Sequence, residues 1–374
     1  MSKSGRMIRV LVVDDSALMR RLIPQLIESD SELHVVATAM DGAFALKKIQ
    51  EYRPDVITLD LEMPRMDGIE TLRQIMRVHP VPVVVVSAHT RQGAATTFKA
   101  LQMGAFDFIA KPRDVLAEGM QEIAADLIQK IKAAVASPLR RRTLPALAAT
   151  AAQSQAKPKR ASALVPAKKV IVIGISTGGP NSLEYMLSQL PAEFSAAIVV
   201  VQHMPAGFTD PFARRLNESC SVEVKEAQSG DILAAGRVLI CPGDRHVKLR
   251  RMPLGDVVVL SNDERVNGHR PSVDVLFRSA AEEFGPNAVG VLMTGMGEDG
   301  AEGLGAMKAA GAHTIAQDEA SSIVFGMPRA AIERGYANRI VGLEDMANTL
   351  IAHCGCTSAV PVHEMHPVRS TGQM

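Results

Sequence analysis

The chain has 374 residues, long for one hydrophobic core and comfortable for two domains. With 41 Lys+Arg against 40 Asp+Glu it is nearly neutral, which argues against a nucleic-acid output because no strong long-range field would draw it to phosphates. Its four cysteines (Cys220, Cys241, Cys354 and Cys356) form neither a disulfide framework nor a zinc signature, and no apolar run or leader segment suggests membrane insertion or export, so the expectation is a reduced cytoplasmic protein.

In chain order, four apolar runs each end on a polar residue. Ile8 to Val13 leads into Asp14 and Asp15, and Asp55 to Leu59 into Asp60. Val83 to Val86 leads into Ser87, and Phe106 to Ala110 into Lys111. If these are buried parallel strands, their carboxyl ends share one edge, where ligands bind in α/β sheets. Three carboxylates gathered there repel one another unless a hard divalent cation such as Mg²⁺ sits among them. An aspartate beside such a cation can accept a phosphoryl group. Any one of these residues alone would read as a helix cap in a βα loop; the joint spacing does not.

With these positions occupied, residues 1–132 resemble a response-regulator receiver domain, which implies a flavodoxin-like α/β fold. The resemblance implies Asp60 as the phosphoacceptor and Asp14, Asp15 and Asp60 as the Mg²⁺ pocket. It also implies Ser87 as the switch hydroxyl, where many receivers carry Thr, with Phe108 moving in concert. Lys111 is implied as the amine that contacts the phosphate.

From Leu127 to Leu183 there is no acidic residue, and Ala133 to Lys169 is rich in Ala, Pro and Ser. Arg140, Arg141, Arg142, Lys157, Lys159 and Arg160 make this stretch basic. It has too few large apolar groups for a core, so residues 133–168 are expected to be a flexible, solvated tether.

A second α/β unit begins at Val170, where an apolar strand enters the Gly-rich segment Gly174 to Pro180. Gly174-x-Ser176-x-Gly178 fits a nucleophile elbow, a serine on a sharp turn between strand and helix. A helix is expected near Asn181 to Leu190, with Pro180 in its first turn and free N–H groups facing the serine. Taken alone, the segment fits an anion site equally well. Two further strands shift the balance: Ala196 to Gln202 ends at His203, and Asn287 to Thr294 runs into the Gly-rich loop carrying Asp299. A parallel sheet brings Ser176, His203 and Asp299 to one edge. His203 would then take the Ser176 proton, Asp299 would fix the imidazole tautomer, and the Thr177 and Met296 amides would hold the oxyanion. The order Ser, His, Asp differs from that of α/β-hydrolases, so a distinct fold is expected. His246, His269, Arg270 and Asp274 are rivals for these roles, with His269 the second choice as base.

The segments GISTGGP (174–180), QHMP (202–205) and TGMGEDGA (294–301), with Cys241 to His246 and Asn267 to Asp274, resemble the catalytic domain of protein-glutamate methylesterase. For residues 169–352 this implies a second doubly wound, mostly parallel α/β catalytic domain needing no cofactor. It further implies hydrolysis of glutamyl methyl esters, and deamidation of glutamines, on methyl-accepting chemotaxis receptors. Activation would come from a chemotaxis histidine kinase phosphorylating Asp60. Residues 353–374 are expected to be a disordered tail; its Cys354, Cys356, His363 and His366 are too scattered to make a metal site the favoured reading. The other readings are a phosphorylation-gated binding module without turnover and a methylesterase serving another sensory pathway. Two domains on a tether can also dock so that the receiver covers the Ser176 edge until phosphorylation loosens it.

Overall fold

Two parallel sheets organise the chain in a computed structural model that describes residues 6–88, 90–111, 118–136 and 165–356. The first contains β1 (Ile8–Val13), β2 (Leu33–Ala39), β3 (Val56–Asp60), β4 (Val83–Ser87) and β5 (Asp107–Ala110), in the order β2-β1-β3-β4-β5 and parallel throughout. Its central strands are apolar without alternation because helices cover both faces. Those helices are α1 (Ala17–Ile27), α2 (Gly42–Tyr52), α3 (Gly68–Val78), α4 (Arg91–Gln102) and α5 (Glu118–Ala136). Ser16, Asp41, Asp67 and Thr90 cap the first four, each side chain accepting an N–H from the first helical turn.

The second sheet contains β6 (Val170–Ile175), β7 (Ala197–Gln202), β8 (Glu223–Glu226) and β9 (Arg237–Ile240), then β12 (Ala288–Leu292), β13 (His313–Gln317) and β14 (Arg339–Val341). Between them an antiparallel hairpin is formed by β10 (His246–Arg250) and β11 (Val257–Ser261). Around the sheet lie α6 (Gly179–Leu187), α7 (Thr209–Ser219), α8 (Val273–Phe284), α9 (Ala301–Ala309), α10 (Met327–Glu333) and α11 (Leu343–Cys354). The strand order β14-β13-β12-β6-β7-β9-β8 reverses direction between β6 and β12. That is the topological switch point, where helices leave to opposite faces and open a crevice at the carboxyl ends. Ser176 follows β6, His203 follows β7, and Asp299 lies beyond β12.

Two expected boundaries shift. Helix α5 runs to Ala136, into the stretch read as tether, because Leu127, Ile131 and Ala134 bury one face against the first sheet. At the other end of that stretch, Pro166 bridges to Ala234 and the Ala167 N–H donates to Leu233 O. The expected tail also starts too early: α11 reaches Cys354, Cys356 bridges to Phe194, and Ser195 Oγ donates to Cys354 O. The rest of the expected tether, 137–164, and of the tail, 357–374, lies outside the described residues, Arg140–Arg142, His363 and His366 included.

A single apolar cluster joins the two units. Phe98 of α4 stacks on Phe212 of α7 with ring centres 5.2 Å apart, and Phe108 of β5 stacks on Phe208 at 4.9 Å. Arg215 donates to Phe98 O and pairs with Glu184, while Asn181 Nδ2 donates to Leu101 O at 3.0 Å. Among the described residues no helix is long and apolar enough to cross a membrane.

Candidate active site

At the carboxyl edge of the first sheet, Asp14, Asp15 and Asp60 each offer an oxygen, all within 4.8 Å of one another. Asp14 and Asp60 are buried. Lys111 Nζ donates to Asp60 Oδ2 at 2.7 Å and lies 3.1 Å from Asp14 Oδ2, which makes no hydrogen bond among the described residues. Burial pushes the Asp60 carboxyl up to about 6, against the pull of Lys111 and with the help of Asp14. An all-carboxylate set whose buried Asp14 oxygen has only the Lys111 ion pair fits a hard divalent cation with oxygen preference. The Ser87 hydroxyl is engaged by α4: it accepts from Thr97 Oγ1 at 2.7 Å and donates to Gly93 O at 3.3 Å.

At the second edge, His203 Nε2 and Asp299 Oδ2 are 2.9 Å apart, with side chains 10% and 1% exposed. Asp299 also accepts from Ser272 Oγ (2.7 Å), the Val273 N–H (2.7 Å) and Asn267 Nδ2 (2.9 Å). Burial alone would raise this carboxyl. The bonds from His203, Ser272 and Val273 overrule it and hold Asp299 well below the usual carboxylate range. The carboxylate therefore accepts Nε2–H, so Nδ1 carries the free lone pair; Nδ1 is buried and, among the described residues, makes no hydrogen bond. The imidazole is thus reversed relative to the chymotrypsin arrangement, in which the acid holds Nδ1–H.

Ser176 stands half-buried on the turn into α6. Its N–H donates to Thr294 O at 2.9 Å, and its carbonyl accepts from the Gly179 N–H and from Gln202 Nε2. Gly178 adopts φ 73° there, and a Cβ on Gly295 would lie 2.8 Å from Ser176 Cβ, so the turn needs both glycines. Among the described residues the Ser176 hydroxyl makes no hydrogen bond, and neither the Thr177 nor the Met296 N–H has a partner. A hydroxyl, an imidazole lone pair and free amides at one switch point can attack and stabilise an acyl centre.

Residues 171–350 match the CheB methylesterase family, and residues 10–122 match the response regulator receiver domain. A protein-glutamate methylesterase/protein-glutamine glutaminase 2 from Koribacter versatilis (strain Ellin345) is 60% identical over 350 residues, 92% of this chain and 95% of the relative. The chain belongs to the protein-glutamate methylesterase/protein-glutamine glutaminase family. Similar proteins so described come from Burkholderia lata (49% identical over 346 residues, 92% of this chain and 95% of the relative) and Pyrococcus abyssi (45% over 351 residues, 94% and 95%).

Within this family member the rivals for base and acid have other employment. His246 is fully buried, accepting the Ser272 N–H on Nδ1 and donating Nε2–H to Glu264 O. Arg270 ties Asp244 to the carbonyls of Asn262 and Asp263, and Asp274 accepts from Gly303 N–H and Asn267. His269 lies face to face with His203, ring centres 4.0 Å apart and planes 8° from parallel. Sequence reasoning missed Gln202, whose Nε2 bridges the carbonyls of Ser176 and His203 at 3.0 and 3.2 Å. A polar residue closing the otherwise apolar β7 was the available signal. It also missed Asn267 and Ser272, which the quoted segment contained without revealing their bonds to Asp299.

The receiver packs on this same edge. Phe208, on the loop that follows His203, carries the Phe108 stack, and the buried Asp107 carboxylate meets the Gly178 amide two residues after Ser176. Lys130 lies 3.8 Å from Asp107 and 3.3 Å from Asp126, and Asp126 is close enough to act electrostatically on His269.

Proposed function

We propose that this chain hydrolyses γ-glutamyl methyl esters, and deamidates glutamines, on methyl-accepting chemotaxis receptors, with Ser176 as nucleophile. The observation that carries this reading is the His203–Asp299 pair, with an orphaned Nδ1 at the edge that also holds an unpartnered serine hydroxyl. His203 Nδ1 takes the Ser176 proton as Oγ bonds to the acyl carbon, and Asp299 steadies the imidazolium. The Thr177 and Met296 amides stabilise the oxyanion. Collapse of the intermediate expels methanol, or ammonia from glutamine, with the proton returned by His203. Water activated by the same imidazole then releases the glutamate. These residues need no cofactor for either half-reaction.

A chemotaxis histidine kinase supplies the phosphoryl group to Asp60. Asp14, Asp15 and Asp60 would hold Mg²⁺, whose contribution is to offset charge at the acceptor. Lys111 already faces Asp60 and would pair with the phosphoryl oxygens. Ser87 must exchange Thr97 and Gly93 for the phosphoryl group, which disturbs α4 and, through Phe98 and Phe108, the contact that covers the active edge. Phosphorylation thereby opens the Ser176 site.

Methanol release from a methylated receptor tests the reading, comparing this protein with Ser176→Ala, each with and without a small-molecule phosphoryl donor. Release that needs Ser176 and rises with the donor supports both parts. Release indifferent to the donor removes the gating, and release no greater than that of the alanine variant removes the esterase in favour of a binding module.

A further inference from the structure

We propose that His269 is a positioning residue for His203: its ring forms a wall that keeps the catalytic imidazole in the plane aiming Nδ1 at Ser176. The proposal rests on the esterase reading above and assigns a task to a residue that reading leaves idle.

A histidine held only by one hydrogen bond along its edge is poorly constrained. The Nε2–Asp299 bond at 2.9 Å fixes one atom of the ring and leaves the plane free to tilt about it. A flat partner on the ring face removes that freedom, and the 4.0 Å, 8° stack of His269 is such a partner. Covering that face also limits water near the proton to be transferred.

The wall is itself braced. Val266 and His269 exchange both main-chain hydrogen bonds, Val266 N–H to His269 O at 3.1 Å and His269 N–H to Val266 O at 2.9 Å. Asn267 (φ 54°) and Gly268 (φ 78°) form the turn between them, the Asn-Gly pair that a tight turn with two positive φ values favours. From the same turn Asn267 Nδ2 reaches Asp299 Oδ1 and Asp274 Oδ2, both at 2.9 Å. One four-residue turn therefore holds the acid by a hydrogen bond and the base by its face. Neither contact requires His269 to exchange a proton.

Charge supports the assignment. Burial, with His203 beside it, lowers the His269 imidazole to about 4, while Asp299 and the receiver's Asp126 pull upward and Arg265 downward. The ring is neutral near pH 7, so its π-face can lie against the imidazolium formed during acylation without charge repulsion.

The test uses the full chain with a phosphoryl donor present, comparing wild type, His269→Ala and His269→Phe by methanol release, with Ser176→Ala as blank. His269→Ala is expected to lose roughly 100-fold in kcat with KM little changed, the scale of a misplaced catalytic group. His269→Phe, which keeps the flat face and cannot carry a proton, should recover most of that loss. Its pH profile should keep the wild-type form around neutrality. Thermal melting confirms that each variant is folded, and labelling of Ser176 by a fluorophosphonate should slow and recover in parallel with kcat. A phenylalanine variant as inactive as the alanine one would make His269 a proton-transfer group and overturn the proposal. A change confined to KM would make it a substrate contact, and unchanged kcat in both variants would leave it no role. Wild type no faster than Ser176→Ala would instead bring down the esterase reading, and this proposal with it.

Discussion

Asp299 shows how one residue's surroundings decide its chemistry. Four protein donors besides His203 converge on its carboxylate (Ser272 Oγ, Asn267 Nδ2 and the Val273 and Asp274 N–H groups), so it stays ionised and, in the proposed mechanism, orients the imidazole without competing for the proton. Asp299→Asn presents an amide where Nε2–H needs an acceptor and stabilises the wrong tautomer. Its kcat for methanol release is expected to fall roughly 10⁴-fold, with substrate affinity little changed. Asp60 is the contrasting case. Its carboxyl lies at about 6 in the fold against an ordinary 3.8, so the folded protein holds a proton there that the unfolded chain gives up. Its contribution to stability is therefore present below pH 3.8 and lost as pH rises through about 6, by roughly 3 kcal/mol. Urea denaturation in EDTA should show a lower midpoint at about pH 7 than at about pH 5, and Mg²⁺ should restore it at the higher pH. A pH dependence unchanged by Asp60→Asn would assign the effect to another group.

At the scale of elements, the active edge depends on turns in which a methyl group has no room. Alanine at Gly295 would place Cβ 2.8 Å from Ser176 Cβ and 2.2 Å from Met327 Sδ. Gly295→Ala should cut kcat by about 100-fold by displacing Ser176, the proposed nucleophile. Gly335→Ala, where φ is 70° and nothing lies within 4 Å, should cost about 1 kcal/mol of stability and leave kcat unchanged. Strand ends made the three candidate residues legible, because a run of apolar residues between polar loops announces its own carboxyl end. Gln202, Asn267 and Ser272 were hidden for the opposite reason: each acts through a hydrogen bond to a distant segment, and local sequence carries no trace of the partner. The tautomer sense of His203 was equally invisible, since it depends on which nitrogen Asp299 meets.

For the whole molecule, the stack of Phe108 on Phe208 and of Phe98 on Phe212 joins two folds that each have their own sheet. A modification at Asp60 can open this contact only by its differential energy between docked and undocked states; inverting a 99:1 preference takes about 5.5 kcal/mol. Phe108→Ala should raise the unphosphorylated rate while destabilising the protein by roughly 3 kcal/mol. A basal rate unchanged in the face of that destabilisation would exclude Phe108 from the gate. With a phosphoryl donor, amide exchange in α4, β5 and α7 should accelerate in wild type and stay slow in Asp60→Ala.

Strand periodicity, Gly-rich turns and polar residues at strand ends carried the two α/β units, their order and the family resemblance, because these are local features that any parallel sheet imposes on its own sequence. Only the tertiary structure decided which face of His203 is covered, which nitrogen is free, and that the receiver lies on the edge carrying Ser176. Each of those is a contact between residues far apart in the chain, set by how helices and sheets pack, and such pairings leave no periodic mark in the segments that make them.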